Sequence, residues 1–390
     1  MNLSEMLGYA DIGLLSAIAR HYNCDCNSHS KNELIQSILT TLNRRDTFEQ
    51  QLNDLKDEDI RLMNRLLFDK RSYFSLEELM AIVKQTGRQR RETAGDDGAD
   101  ASHEVNPRET IVRFKQRGWL FNGHSQQTKY LYRIPEDVKR RFSDCYAGYL
   151  SRQLMYIDAP AAYRDEQMII GQDVLRFLRY AYQNEIELTI DGTMYKRTLQ
   201  NILGLLHVQE EALKTRGWRF GYGRKFRDYP DRFSLIYDYC YYSGLIEEQT
   251  GRLTLTALGE ERVKKQVAEN PMDIYKFWLK LYKGPIPNLQ ALVSWLQRLC
   301  GRWTTVQSLH QALGRMIQPY YFDSPVQILE LRIIRMMMHL GLMQLGDDPE
   351  YGTVVRISKL GDHIISGTYV PEEEKIELDQ EPTLTWEQLY

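Results

Sequence analysis

The sequence predicts a mainly α-helical protein with small β-hairpins. Apolar residues recur at three- and four-residue spacing in most segments of the 390-residue chain, as in amphipathic helices. Three times, a glycine that ends such a segment is followed by two short strand-like stretches, as in a hairpin. Hydrophobic residues make up 43% of the chain and charged residues 26%, so it can build substantial cores. At about 100–200 residues per domain, this length allows two to four domains.

The first predicted domain covers residues 1–45 and is a helix–loop–helix unit. Leu34 and Ile38 lie on one apolar helical face, and Ser30 with Glu33 forms a capping-box pattern at the start of that helix. A polar loop separates this helix from an earlier amphipathic segment. The order of helix, loop and SKNELIQSIL resembles the SAP and Rho N-terminal-like units, which occur in nucleic-acid-binding proteins.

A second domain is predicted over residues 46–150. Its segments LKDEDIRLMNRLLF and LEELMAIVKQ are amphipathic, and Ser75 with Glu78 predicts a capped start for the second of them. Residues 88–108 contain Val105 as their one large apolar residue and are rich in Gly, Ala, Asp and Arg. We therefore predict a disordered insert there.

An internal repeat organises the chain. Three segments share the order helix, glycine, two strands and helix, and they begin with ETIVRFKQRGWLFNG, DRFSLIYDYCYYSGLIEE and LELRIIRMMMHLGLMQL. Gly118, Gly244 and Gly341 occupy the place of a left-handed C-cap. Any helix–glycine–hairpin stretch gives this pattern, but it is typical of a winged-helix module, in which the helix before the hairpin is the recognition helix. We predict tandem winged-helix modules, in residues 46–150, 165–270 and 271–370.

The charge is unevenly distributed along the chain. The net charge is -3, but residues 371–390 hold seven acidic residues against Lys375, which leaves the rest of the chain net positive. We predict an acidic tail there, and its role as a docking peptide, a competitor for the basic residues or a solvated extension stays open.

Composition also predicts the compartment. The five cysteines are few, odd in number and scattered, which fits a reducing environment. No apolar run approaches the ~20 residues that a membrane helix needs, and the first residues lack the basic region of a secretory signal. We expect a cytoplasmic protein with no membrane partner.

The basic-aromatic run at residues 214–232, KTRGWRFGYGRKFRDYPDR, is the strongest candidate binding segment. Arginines can neutralise nucleic-acid phosphates, and aromatic faces can stack on exposed bases at about 1–3 kcal/mol each. Two alternatives stay open: a structured loop with aromatic residues on the core and solvated arginines, or a protein interface. The residues predicted to bind nucleic acid are Arg216, Trp218, Arg219, Tyr222, Arg224, Lys225 and Arg227, with Trp218 and Tyr222 as stacking candidates.

The common catalytic motifs are missing from the sequence. It contains no GxxxxGK[ST] loop, DExH box, GxSxG or HExxH, so we expect no catalytic residue, no cofactor and no small-molecule substrate. His21, Cys24, Cys26 and His29 could hold zinc in principle. Their C-x-C spacing is not that of the usual zinc knuckle, so we expect no metal site.

Other notable residues are predicted to be structural. Cys145, Cys240, Cys300 and Met336–Met338 lie on apolar-periodic helices and are expected in the core. Lys139, Arg140 and Arg141 are expected on a solvated helix face.

Several of these segments resemble the helicase-associated domain of XPB-type DNA helicases and their stand-alone bacterial relatives. The similar stretches are FKQRGWLFNG, YRIPEDVKRRF, LTIDGTMYKRTLQNI and RLTLTALGEE, and the resemblance covers about residues 50–370. It implies a winged-helix-rich architecture and an association with DNA unwinding or repair. The missing nucleotide-binding loop departs from a full helicase.

These observations lead to one functional hypothesis with two alternatives. The first is a non-catalytic DNA-binding accessory protein that acts with a helicase, a nuclease or other repair machinery. The second is a protein-interaction adaptor that uses its winged helices as a scaffold. The third is a transcription regulator, which the absence of a strongly basic recognition helix disfavours.

Overall fold

The computed structural model describes residues 1–88, 106–167, 169–214, 219–371, 374–376 and 378. The chain divides into two compact units, Met1–Gln153 and Leu154–Tyr390. Both are mainly helical and carry small antiparallel sheets, so the predicted fold class is confirmed at that level. The finer division into five segments stays a prediction, and most of the predicted insert and acidic tail lies outside the described residues.

Short helices and one hairpin build the first unit. Ser30 caps its third helix, and Ser75 and Glu78 form the predicted reciprocal cap, with the Glu78 amide donating to Ser75 Oγ (3.1 Å) and the Ser75 amide to Glu78 Oε2 (2.7 Å). The elements are α1 (Leu3–Tyr9), α2 (Ile12–His21), α3 (Lys31–Leu42), α4 (Arg45–Asn53), α5 (Asp57–Phe68), α6 (Leu76–Arg88), α7 (Pro107–Gln116), β1 (Phe121–Asn122), β2 (Tyr132–Arg133) and α8 (Glu136–Ser151).

Trp119 lies in the core of the first unit. Its ring centroid is 5.8, 5.7 and 5.7 Å from those of Phe48, Phe114 and Phe142. Aromatic pairs at such distances add about 0.5–1.5 kcal/mol to the effect of area burial. Gly118, at φ +65°, turns the chain from α7 towards the hairpin and so directs the indole inwards.

The basic residues of α8 do not form one solvated face, which corrects the expectation for residues 139–141. Arg141 donates to the backbone carbonyl groups of Leu42 and Asn43, at 2.7 Å for Asn43, and so caps the carboxyl end of α3. Lys139 is half-buried, whereas Arg140 is exposed. The cause is the packing of α8 against the preceding helices, which helical periodicity does not reveal.

The second unit continues the same mixture of helices and short strands. A stretch with π-helical hydrogen bonding, Ile328–Ile334, joins α16 to α17. The elements are β3 (Tyr163–Arg164), α9 (Ile169–Gln183), β4 (Ile186–Glu187), α10 (Lys196–Leu205), α11 (Asp231–Tyr242), β5 (Ile246–Gln249), β6 (Arg252–Leu255), α12 (Ala257–Lys265), α13 (Pro271–Tyr282), α14 (Leu289–Leu299), β7 (Thr304–Thr305), α15 (Val306–Leu313), α16 (Pro325–Gln327), α17 (Arg335–His339), β8 (Met343–Asp348), β9 (Gly352–Ile357) and α18 (Lys359–Gly367).

The three predicted repeats share one topology. Each has a helix, a short strand or bridging residue, two helical segments, a hairpin and a closing helix. The early strand always pairs with the second hairpin strand: Phe74 bridges to Tyr132 in β2, β4 pairs with β6, and β7 pairs with β9. Gly118, Gly244 and Gly341 have φ of +65°, +66° and +72°, so the predicted left-handed positions are confirmed.

A hydroxyl group ties each hairpin of the second unit to the following helix. Thr256 Oγ1 donates to the Gly244 carbonyl (2.6 Å) and accepts from the Gly259 amide (3.1 Å). Ser358 makes the same two bonds in the third repeat, with the left-handed glycine (2.8 Å) and with the Gly361 amide (2.8 Å). In each repeat, one hydroxyl group therefore caps the following helix, α12 or α18, and also donates a hydrogen bond to the carbonyl at the start of the hairpin.

Gly259 and Gly361 are required by close approach between backbones. A Cβ atom at either position would overlap a carbonyl oxygen, that of Leu245 or that of Leu342. This contact gives a physical reason for the shared TALGE and SKLGD sequences after the two hairpins.

The helix α11 lies inside the second unit. Arg232 to Cys240 are all buried, and the helix packs against α9, α13 and α17. The fully buried Arg232 guanidinium lies 2.7 Å from Asp173 Oδ2 and 3.3 Å from Glu166 Oε2, so its charge is compensated. The predicted core positions Cys240, Cys300 and Met336–Met338 are buried, whereas Cys145 is half-buried.

The chain after α18 is fixed to α13. Lys283 Nζ donates to the backbone carbonyl groups of residues 370–371, at 2.8 and 2.6 Å. Lys280 pairs with Glu374 (2.7 Å), and its backbone carbonyl accepts from the Ile376 amide (3.2 Å). We call these contacts the C-terminal clasp.

We predict that Gly361→Ala destabilises the protein by about 1–3 kcal/mol, because the new methyl group has to displace a backbone carbonyl. Gly367→Ala is the matched control in the same helix: nothing lies within 4 Å of its Cβ position, and alanine favours helix. Urea denaturation of both variants measures the difference. Equal stability of the two would contradict the close-approach explanation.

Candidate nucleic-acid interface

The predicted basic-aromatic segment is the loop that connects α10 to α11. Arg216 and Trp218 lie outside the described residues. The loop turns most of the other predicted residues inwards and leaves one of them exposed. Those inside are Arg219, Tyr222, Arg224 and Lys225, whereas Arg227 faces solvent.

The predicted contacts Arg224 and Lys225 are paired within the protein. Arg224 donates to both Glu248 oxygens (2.7 and 3.1 Å) and lies over the Tyr241 ring, 4.0 Å from its centroid. Lys225 is buried, donates to the Gly192 carbonyl and lies 3.7 Å from Glu248 Oε1. Burial opposes ionisation of Glu248, but the hydrogen bonds from Arg224 and Tyr237 and the charges of Arg224 and Lys225 together outweigh it and lower the pKa of the carboxyl. These two cations hold the loop against the second hairpin.

Tyr222 is a core residue. It is 2% exposed, and its ring packs on Phe226 and Tyr282 at 5.2 and 5.0 Å between centroids. A ring in this position cannot stack on a nucleobase while the loop stays folded, so the stacking role expected of Tyr222 is corrected. The position of Tyr222 instead matches the alternative of a structured loop whose aromatic residues pack on the core.

Arg219 is also held inside the loop. It pairs with Asp231, and its guanidinium lies 4.1 Å from the centroid of the Phe226 ring. Burial, with the neighbouring Arg332, lowers the pKa of Arg219 to about 10. The residue therefore links the loop to the first turn of α11.

A buried arginine connects the loop to a tight turn before α16. Arg332 binds both oxygens of Asp323, at 2.8 and 3.3 Å, and lies 3.5 Å from Asp231. Its guanidinium also covers the Tyr222 and Phe226 rings, at 5.1 and 4.8 Å. Charge-assisted bidentate bonds of this kind fix geometry, so the turn is rigidly supported.

The turn itself exposes two aromatic side chains. Tyr320 and Asp323 exchange two backbone hydrogen bonds (3.0 and 2.9 Å), which leaves Tyr321 and Phe322 at the central positions. These side chains are 59% and 64% exposed. Tyr321 has φ +47°, a left-handed conformation that costs a non-glycine residue about 1–2 kcal/mol. Such strain is concentrated at functional sites.

Phe220 and Arg227 extend this exposed surface. The Phe220 ring is half-buried and lies 6.1 Å from the Tyr321 ring, and the Arg227 guanidinium lies 5.8 Å from the Phe220 centroid. Arg227 forms no ion pair with a described residue. We call the four side chains Phe220, Arg227, Tyr321 and Phe322 the aromatic rim.

The sequence did not identify Tyr321 and Phe322 as candidate binding residues. Three consecutive aromatic residues at 320–322 look like core residues, and nothing local indicates that two of them face outwards. The available signal was the sequence Asp-Ser-Pro that follows, since Ser324 caps α16 and Pro325 begins it. That signal marks a turn directly after the aromatic residues.

The helices that precede the second and third hairpins offer little free surface. In α11, the residues from 232 to 240 are buried. In α17, every residue from Met336 to His339 is buried, and Arg335 is exposed. Neither helix presents a continuous exposed face to a groove.

The described residues contain no group of three or more His, Cys, Asp or Glu side chains placed to hold a metal ion. Cys24 Sγ instead lies 3.5 Å from Thr41 Oγ1, and His21 lies 3.3 Å from Gln51 Oε1. In the same part of the chain, no helix is long and apolar enough to cross a bilayer. Comparison with known proteins finds no matching family and no matching curated relative.

Asp238 is a buried titratable group beneath the loop. It is fully buried in α11, against Gly223. Burial raises the pKa of Asp238 to about 7, and the positive charge of Arg224 offsets this only in part. The folded protein therefore holds a proton here at pH values where the unfolded chain has lost it.

We predict that this group makes the protein less stable as the pH rises from about 4 to about 7, because the folded-state pKa lies above the unfolded value near 3.9. Asp238→Asn removes this titration. As the pH rises across that range, the Tm of the variant is expected to rise relative to the Tm of the parent protein. Thermal denaturation at several pH values measures it, and parallel Tm curves would refute the raised pKa.

Proposed function

We propose that the protein is a non-catalytic accessory protein that binds nucleic acid, and that its aromatic rim contacts unpaired bases of a single strand. The observation that carries this proposal is the turn at residues 320–323. It holds two aromatic side chains in solvent at the cost of backbone strain, beside Arg227, which has no carboxylate partner among the described residues.

The chemistry of the rim suits an unpaired strand. Bases of a single strand expose their faces, and stacking on aromatic side chains contributes about 1–3 kcal/mol per base. Arg227 is exposed and can neutralise a phosphate next to the stacked bases. Arg332 and Asp323 hold the turn in place, so little ordering is needed on binding.

We also propose that the three repeats are winged-helix modules, as the sequence predicted. The shared order of elements and the pairing of the early strand with the second hairpin strand support this assignment. The burial of α11 and of most of α17 argues against groove reading by these two helices. It therefore favours a contact made by a loop and a turn.

The partner enzyme follows from the resemblance to helicase-associated domains alone. On that basis we propose that the protein acts beside a helicase, a nuclease or other repair machinery.

A second candidate function is a protein-interaction adaptor, which the burial of α11 favours, because a winged helix with a buried recognition helix serves as a scaffold. A transcription regulator is less consistent with the same burial.

We predict that Tyr321→Ala with Phe322→Ala weakens binding of a fluorescent oligothymidylate at least tenfold, because two stacking faces are lost. Tyr182→Ala is the control, since Tyr182 is 50% exposed and lies on α9. Arg227→Ala is expected to reduce the salt dependence by about 0.7 in the logarithmic slope, as for one phosphate contact.

Fluorescence anisotropy at several salt concentrations measures these binding changes. Tight binding that the rim variants leave unchanged would rule out the rim as the interface. Absence of binding to single-stranded, duplex and forked DNA would favour the adaptor.

Tyr321→Gly separates stability from binding. Glycine adopts the left-handed conformation without the clash that tyrosine suffers, so we expect stability to rise by about 0.5–1 kcal/mol. Binding to the oligothymidylate is expected to weaken at the same time. Urea denaturation and anisotropy on one preparation test both effects, and a variant that binds as tightly as the parent protein would contradict the role of the Tyr321 ring.

A further inference from the structure

A second basic surface lies in the first unit. The segment after α5 and the first turns of α8 enclose an open cleft of about 370 Å³. We call it the cationic cleft. The polar and charged residues that line it are Asp69, Lys70, Arg71, Ser72, Glu136, Lys139, Arg140 and Ser143.

The two carboxylates of the cleft are already compensated. Asp69 is bound by Arg71 (2.9 Å), whose other amino group reaches Glu78 (2.7 Å). Glu136 pairs with Arg133 (3.4 Å), which is not a lining residue. The lining holds more cations than carboxylates, so the cleft presents a net positive potential, to which Lys139 and Arg140 contribute.

Lys139 is the central group of the cleft. It is half-buried, and among the described residues its ammonium group makes no hydrogen bond or ion pair. Burial lowers the pKa of Lys139, with the charge of Glu136 opposing the change. A partly desolvated ammonium group without a direct partner is stabilised by a bound anion.

We propose that the cationic cleft binds a phosphate group, through Lys139 and Arg140 with the hydroxyl group of Ser72. A phosphate group combines up to two negative charges with several acceptor oxygens, which matches adjacent cations and a hydroxyl donor. The cleft volume falls in the range of small-ligand sites, so a phosphate that carries a further group also fits. The phosphate can belong to a free phosphate compound or to a nucleic-acid backbone.

The test uses the full chain and isothermal titration with inorganic phosphate, at an ionic strength held constant with chloride. We expect saturable binding that Lys139→Met with Arg140→Ala weakens at least tenfold. Methionine keeps the apolar stem of Lys139 in place, and thermal denaturation checks that the variant is folded. Arg20→Ala with Lys56→Ala is the control, because both residues are exposed in the same unit and do not line the cleft.

A second titration, with a short oligothymidylate, identifies the source of the phosphate. Loss of oligothymidylate affinity in the cleft variant, without saturable binding of inorganic phosphate, assigns the cleft to backbone phosphate. Saturable inorganic phosphate binding that depends on the cleft assigns it to a free phosphate group. If the cleft variant matches the parent protein with both ligands, the proposal is wrong. The rim variants are expected to keep inorganic phosphate binding, so failure at the rim and failure at the cleft are distinguishable.

Discussion

The joint between helix and hairpin is the constraint on which the second unit depends. A left-handed glycine ends the helix, and the hydroxyl of Thr256 or Ser358 returns from the hairpin to the carbonyl of that glycine while it caps the next helix. These hydrogen bonds fix the point at which each hairpin begins after its helix and the point at which the next helix starts. The helix after each hairpin begins directly over a backbone carbonyl, that of Leu245 or Leu342. A glycine, Gly259 or Gly361, is therefore required in its first turn. Two turns and one side chain thus set the path of the chain from Gly244 to Gly259, and likewise from Gly341 to Gly361.

Buried charge determines which surfaces remain for function. Arg232 holds α11 to the first helix of its own repeat, and Arg332 connects the turn before α16 to the α10–α11 loop. Removing either guanidinium would take a charged partner from Asp173 or from Asp323, which is more costly than the net gain from the pair. These ion pairs keep the helices before the hairpins inside the unit. The strained turn and the outer edge of the loop keep their aromatic side chains exposed.

Local sequence signals predicted local structure well. The three glycines, the Ser75–Glu78 cap and the apolar Met336–Met338 segment are where the periodicity and the capping rules placed them. The candidate site was predicted less well, since the basic-aromatic run contains both inward and outward residues. Arg224 and Lys225 are paired by Glu248, more than twenty residues away, and no local pattern encodes that partner. Tyr321 is exposed for the same reason, because its surroundings come from distant segments.

The C-terminal clasp changes where the folded chain ends. The predicted tail begins at residue 371, yet Lys283 is 5% exposed and its ammonium group donates to the carbonyl groups of residues 370–371. Cutting the chain there would remove a carbonyl acceptor from a buried cation, which costs free energy. Since Ile376 also bonds to α13, a protease-resistant fragment of the second unit has to extend at least that far. The described residues after α18 are therefore held along α13 as far as Ile376.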